Sequence, residues 1–252
     1  FDELGLKPTV IAGCSIGALI GAGYAGGMSA KDIREHSEKL LSNRVDAFRY
    51  VFGVRKARLR DLLALQGLAS FHIQGEKLAE LALPDHLPER LEDMPIPFKV
   101  ISTDYDHMEE RVLTTGPLVT AVAASIAIPG VILGPKIDGH VHVDGGVTNP
   151  VPFDHVREGM DIVVAVDVTG RPRPPVRPNH SNMELAVGSL LIMFHQVAQL
   201  RRAASPPDIY VSPPLDAFSG GDFFRFKEML DAAQPAKDAL KRDLESRIRR
   251  IS

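Results

Sequence analysis

Three features of the sequence predict an α/β domain. Short runs of β-branched and apolar residues alternate with stretches whose apolar positions recur at helical spacing. No linker or low-complexity segment divides the 252 residues, a length that suits one large domain. Near the start, Thr9-Val10-Ile11 closes a short strand and Ile16, Leu19, Ile20 and Tyr24 follow at helical spacing, with Gly13-Cys14-Ser15-Ile16-Gly17 as the turn between.

The other elements follow in order. Phe1 to Pro8 reads as the end of a helix, stopped at Gly5, so the beginning of the protein is expected upstream of Phe1. Ser29 caps a helix carrying Ile33, His36, Leu40 and Leu41 on one face, with Asp32 in its first turn. Two short amphipathic helices are expected within Val45–Leu68, with Arg55, Lys56, Arg58 and Arg60 between them. Gly75–Leu83 is a further helix ended by Pro84. Pro97–Thr103 is a strand whose hairpin partner is Arg111–Thr115. A small-residue helix over Leu118–Ile128 is closed by Pro129-Gly130. Val131–Leu133 and His140–Val143 are strands, with a turn at Asp138-Gly139. The apolar run Asp161–Val168 predicts a strand buried on both faces. A basic, proline-rich loop spans Arg171–Pro178, and Ile209–Val211 is a last strand. Glu184–Ala203 is a long helix with an apolar stripe at Leu185, Leu190, Met193, Val197 and Leu200. Lys227–Ile251 is helical with a break at Pro235, and its basic last turns read either as a solvated face or as a membrane or partner contact.

Composition narrows the function. A net charge of -3 gives no global basic signal for nucleic acid. The single cysteine, Cys14, excludes an intrachain disulfide and reads as a small packing residue under the turn. No apolar run approaches the roughly 18 residues of a membrane span.

A serine at the tip of a strand–turn–helix unit is held in a strained backbone conformation, and glycines beside it let strand and helix approach closely. The hydroxyl then sits at the positive end of a helix, where the Ile16 N–H can donate to an oxyanion. The bland alternative is a glycine-rich turn with an incidental serine. For a base, Asp144 stands out: it ends a strand and precedes Gly145-Gly146, where a tight turn would hold its carboxylate at a sheet edge. An aspartate in an ordinary turn is the plain alternative.

Three ordered motifs carry a resemblance: Gly13-Cys14-Ser15-Ile16-Gly17, then Ala124-Ser125-Ile126-Ala127-Ile128-Pro129, then Asp144-Gly145-Gly146. Together they resemble the patatin-like phospholipase family, in particular its short bacterial single-domain members, over roughly Val10 to Val168. Ser102-Thr103-Asp104, Gly116-Pro117-Leu118 and Val147–Pro152 are similar too. The resemblance implies a three-layer α/β/α sandwich with a central, mostly parallel sheet, and a single hydrolase domain over residues 1–252. It implies a serine hydrolase acting on lipid esters, phospholipid or lysophospholipid, through a Ser15–Asp144 dyad, an acyl-enzyme, and no catalytic histidine, cofactor or metal. Gly13, Ile16 and Gly17 would form the elbow and part of the oxyanion site, with Ser125, Pro129, Gly145 and Gly146 as supporting positions. The N-terminal strand and glycine-rich oxyanion segment of the family do not occur within residues 1–252, and are expected upstream of Phe1. A lipid ester is the expected partner, at a cytoplasmic or peripheral-membrane location, with apolar residues of Val45–Leu68 lining an acyl channel or touching the membrane.

Three rivals stand beside this. A Ser-His-Asp α/β-hydrolase would draw its base from His155, His180 or His195. A metal site would begin with His140, His142 and Asp144, which alternate along one strand. A lipid-binding or scaffolding module would keep the fold without the activity.

Overall fold

The computed structural model describes residues 1–42, 73–169, 182–215, 218 and 225–251. The two helices expected within Val45–Leu68, the loop Arg171–Pro178 and His180 lie outside the described residues.

Strand β1 (Ile11–Cys14) runs into helix α1 (Ile16–Ala25), and α2 (Ala30–Ser42) follows. A capping box holds the start of α2: the Ser29 hydroxyl accepts from the Asp32 N–H, and the Asp32 carboxylate accepts from the Ser29 N–H. After β2 (Ile73–Gln74) and α3 (Gly75–Ala82) come β3 (Phe98–Asp104), β4 (Glu109–Leu113) and α4 (Leu118–Ser125). Next are β5 (Ile132–Leu133), β6 (Lys136–Ile137), β7 (His140–Asp144) and β8 (Val164–Val166). Helix α5 (Asn182–Ala204), β9 (Ile209–Val211) and α6 (Phe226–Ile251) complete the described elements.

Strand β3 organises the sheet. Phe98 and Val100 enter the core formed with Ala18, Ala22, Ala121 and Val122 of α1 and α4. On the other side Lys99 donates to the His155 carbonyl, over a second core of Val151, Phe153, Val163, Ala165 and Ala198 of α5. Helices on both sides of a central sheet give the α/β/α arrangement. The small residues of α1 permit its close approach: a Cβ at Gly21 would stand 2.8 Å from the Phe98 ring. Pairing is mixed among the described residues. β1/β3, β2/β5 and β8/β9 are parallel, while two hairpins, β3/β4 and β6/β7, and the β3/β7 pair are antiparallel. Asp138 and Gly139, both at positive φ, make the tight β6/β7 turn.

The register of β3 places the candidate site. β4 covers Val100–Asp104 along one edge of β3. On the opposite edge β1 pairs from Phe98 to Ile101 and β7 from Ser102 to Asp104. β1 ends with Cys14 opposite Ile101, and antiparallel β7 ends with Asp144 opposite Ser102. Two strands thus meet end to end on one edge, C-terminus against C-terminus. The residue after one and the last residue of the other are forced together.

Four local expectations are corrected. The helix expected to reach Ile128 ends at Ser125: the Ile128 N–H turns to the Ile126 carbonyl (2.8 Å) instead of making a helical bond, and the Ala127 carbonyl accepts the Asp144 N–H (2.9 Å). The run Asp161–Val168 yields only a three-residue strand, buried on one face. Val163, Ala165 and Asp167 point inward, while Val166 and Val168 are exposed. Helix α6 passes through Pro235 without a break. Pro235 is exposed, so the Asp231 carbonyl that loses its intrahelical donor faces water. The stripe on α5 is largely exposed at Leu185, Met193 and Leu200, and it is Phe194 and Ala198 that enter the interior. Basic residues of α6 are partly engaged within the chain: Lys237 and Lys241 pair with Glu3, and Arg247 with Asp208.

Candidate active site

Ser15 sits between the last residue of β1 and the first of α1 at φ 52°, ψ -120°, a conformation that costs a non-glycine residue about 1–3 kcal/mol. The strain persists because the backbone around it is clamped. A Cβ on Gly13 would run into the Gly17 carbonyl and stand 2.9 Å from the Ala18 Cα, so strand and helix are closer there than any side chain permits. Gly17 differs, since a Cβ there would meet open space. Ile16 and Gly17 are the first two residues of α1 and follow Ser15 directly, so their N–H groups have no intrahelical acceptor.

Asp144 is fully buried, and its Oδ2 accepts from the Ser15 hydroxyl at 2.7 Å. Its Oδ1 accepts from the Gly146 N–H at 2.8 Å, and the Cys14 thiol lies 3.9 Å from the same oxygen. Burial pushes the Asp144 carboxyl up to about 6, against the lowering influence of the Gly146, Ser15 and Cys14 hydrogen bonds. The same burial, with the nearby Asp144 charge, holds the Cys14 thiol well above its usual range, so it is a neutral packing group. Both glycines after Asp144 are required by space. A Cβ on Gly145 would strike the Ile101 carbonyl, and one on Gly146 would stand 2.5 Å from the Phe194 ring.

The middle motif holds both halves together. Ser125, buried at the end of α4, accepts from the Ser15 N–H (2.8 Å) and donates to the Ile101 carbonyl (2.6 Å). Two residues on, the Ala127 carbonyl accepts from the Asp144 N–H. One short segment therefore fixes the main chain of both residues. Ser125→Ala is expected to leave the Ser15 N–H without a partner, lowering stability by about 1–3 kcal/mol. The elbow would lose its anchor, so kcat should fall with KM little changed; urea titration and ester kinetics check the pair. Pro129 stands apart, exposed in a surface turn where the Val131 N–H meets the Ile128 carbonyl.

Sequence reading missed the network behind Asp144. Buried Asn149 donates to Glu110 and Asp154 (2.9 Å each), and Arg201 of α5 bridges the same two carboxylates at 2.7 and 2.8 Å. It docks α5 on the chain leaving Gly146, bringing Phe194 against that glycine. The pairing joins residues up to 91 positions apart, and no local pattern announces it. Beside it, Val147, Leu190, Met193, Phe194, Val197 and Leu200 form most of an apolar groove of about 270 Å³. Ile16 and Ile20 add exposed apolar surface on α1.

Two of the three histidines of the triad alternative are described, and both are engaged elsewhere. His155 bonds to Glu110 and His195 lies 3.3 Å from the Thr169 hydroxyl. His142, Nδ1 toward the Ser102 hydroxyl, and Asp144, held by Ser15, are committed separately, so the His140–His142–Asp144 set is not assembled around one point.

Comparison with known proteins identifies the family. A patatin-like phospholipase family model matches residues 1–157. An uncharacterized NTE family protein of Mycobacterium tuberculosis is 30% identical over 182 residues, covering 72% of this chain and 46% of that protein. A patatin-like phospholipase domain-containing protein of Caenorhabditis elegans is 28% identical over 91% of this chain and 18% of its own length. Patatin-like phospholipase domain-containing protein 7 of the rat is 29% identical over 67% of this chain and 12% of its own. The chain thus spans about half the length of the mycobacterial relative and less than a fifth of the animal ones. With the elbow serine, the Asp-Gly-Gly turn and the segment that clamps them all inside the matched residues, the chain belongs to the patatin-like phospholipase family.

Proposed function

We propose that this chain hydrolyses acyl esters of lipids, phospholipid or lysophospholipid, through a Ser15–Asp144 dyad. The observation that carries the reading is the 2.7 Å bond from the hydroxyl of Ser15, whose strained backbone occupies the N-cap position of α1, to a buried carboxylate. As Ser15 Oγ attacks the ester carbonyl, its proton passes to Asp144 Oδ2. The oxyanion so formed faces the free N–H groups at the start of α1. The intermediate collapses, the C–O bond breaks, and Asp144 returns the proton to the departing alcohol. Water then attacks the acyl-Ser15 ester with Asp144 again taking a proton, and the fatty acid leaves with Ser15 restored. The apolar groove beginning at Val147 suits an acyl chain, and exposed Ile16 and Ile20 suit approach to a lipid surface. No described helix is long and apolar enough to cross a membrane.

The test follows p-nitrophenyl acyl ester hydrolysis by the full-length protein. Ser15→Ala should abolish turnover, Asp144→Asn should lower it about a thousandfold, and a folded triple variant of His155, His180 and His195 should retain it. Loss in that triple variant would replace the dyad with a triad, and an inactive wild type would leave a lipid-binding module. Among lipids, hydrolysis of phosphatidylcholine or lysophosphatidylcholine is expected; activity on triacylglycerol alone would overturn the substrate class.

A further inference from the structure

A second cluster lies at the opposite end of β7 from Asp144, about 13 Å away at roughly 3.3 Å per residue. Asp104, the last residue of β3, is 4% exposed, and its Oδ1 accepts from the N–H groups of Asp106 (3.1 Å) and His107 (3.0 Å). That fixes the turn into β4 and aims Oδ2 at His107 Nδ1, 2.9 Å away. His140, the first residue of β7, brings its ring centroid to 4.3 Å from that of His107. One ligand atom from each of Asp104, His107 and His140 lies within 4.8 Å of the others. The three border a cavity of about 200 Å³, also lined by Glu109, Arg111, Ile137, Asp138 and His142. His142 is 2% exposed and spends Nδ1 on the Ser102 hydroxyl.

We propose that Asp104, His107 and His140 bind a divalent transition metal of the zinc class, with water completing the coordination. Imidazoles combined with one carboxylate are the donor set such an ion prefers over calcium or magnesium. Metal–ligand bonds of about 2.0–2.2 Å place tetrahedral ligand atoms roughly 3.3 Å apart, which small side-chain rotations reach from the present separations. Those rotations are open to His107 and His140, whose side chains are 54% and 41% exposed. Asp104 is the fixed point. The bound ion clips the β3/β4 turn to the start of the strand that carries Asp144, and so stiffens the support of the candidate active site without touching it.

The other close group of possible ligands, Glu110, Asp154 and His155, is an internal contrast. There Arg201 and Asn149 already bridge the two carboxylates, so a cation would displace an arginine. The experiment titrates Zn2+ into the tag-free, chelator-treated full chain by calorimetry and follows Co2+ binding through its visible d–d bands. One equivalent should bind, with the intense absorption of a tetrahedral site and a rise in melting temperature. His107→Ala and His140→Ala should each weaken Zn2+ binding at least tenfold, and His155→Ala should leave it unchanged. His107→Gln and His140→Gln repeat the test with less disturbance of the turn, and melting in chelator verifies that each variant is folded. Absence of a one-equivalent site in the wild type, undiminished binding in the folded His107/His140 double variant, or loss in His155→Ala would overturn the proposal.

Discussion

Replacing Asp144 with asparagine is expected to lower kcat about a thousandfold and, at pH 8, to raise the melting temperature. The first effect follows from losing the proton acceptor, since general bases contribute about 10²–10⁴ in rate. The second follows from burial. The Asp144 carboxyl is displaced upward from 3.8 to about 6, so between these values the native state holds more protons than the unfolded one. Stability supplied by the neutral acid is complete below about pH 4 and is lost as pH rises through 6. Beyond that the ionised group costs the fold about 3 kcal/mol, on the scale of 1.36 kcal/mol for each pH interval of displacement. Asparagine removes that charge, so the variant should melt several degrees higher than wild type at pH 8, with the difference vanishing near pH 4. In the wild type the same ionisation sets the acidic limb of kcat/KM, which should fall tenfold per pH unit below about 6. Unchanged stability at pH 8 together with a flat rate profile from pH 5 to 8 would show that Asp144 is not the buried base described here.

What the sequence made legible divides along a physical line. The elbow turn, the β3/β4 hairpin and the Asp138-Gly139 turn are local matters of β-branching, glycine placement and helix periodicity and are found close to where expected, although β1 runs on to Cys14 and β6 was not foreseen. Ser15 and Asp144 were readable as separate residues through their glycines. Their meeting depends on the register of β1 and β7 along one edge of β3, which is a long-range property. The misread elements share a cause. Ser125 looked like a position within a small-residue helix, but its hydroxyl and the Ala127 carbonyl serve β3 and the two candidate catalytic residues, while the Ile128 N–H turns to the Ile126 carbonyl and leaves the helix. In α5 the apolar stripe suggested a core face, whereas Arg201, paired to Glu110 and Asp154, helps set the helix's rotation and turns Phe194 inward. Across β8, valine content suggested burial on both sides, yet Asp167 is an inward residue, held by the Tyr210 hydroxyl and Thr169. Helix α6 tolerates Pro235 because the carbonyl it strands is in water. In each case a distant partner or solvent decided what local propensity could not.

The two glycines of the elbow should respond oppositely to alanine. At Gly13 the added methyl meets backbone, the Gly17 carbonyl and the Ala18 Cα, and backbone in the first turn of a clamped helix cannot rotate aside as a side chain does. Overpacking against side chains costs about 1–3 kcal/mol, so Gly13→Ala is expected to exceed that range, with a lower urea midpoint and little soluble protein. Relief would require β1 and α1 to separate, which draws the Ser15 hydroxyl from Asp144. Any folded fraction should therefore be inactive as well as unstable. At Gly17 the methyl enters open space on a helical residue of ordinary φ, where alanine is favoured by about 0.5–1 kcal/mol. Gly17→Ala should fold with an unchanged or higher midpoint, and any loss of turnover would then reflect the methyl's place beside the N–H groups proposed to receive the oxyanion. Equal destabilisation by the two substitutions would mean that glycine content in general, rather than the contact at Gly13, holds the elbow. A soluble, active Gly13→Ala would mean that strand and helix are not pressed together as found here.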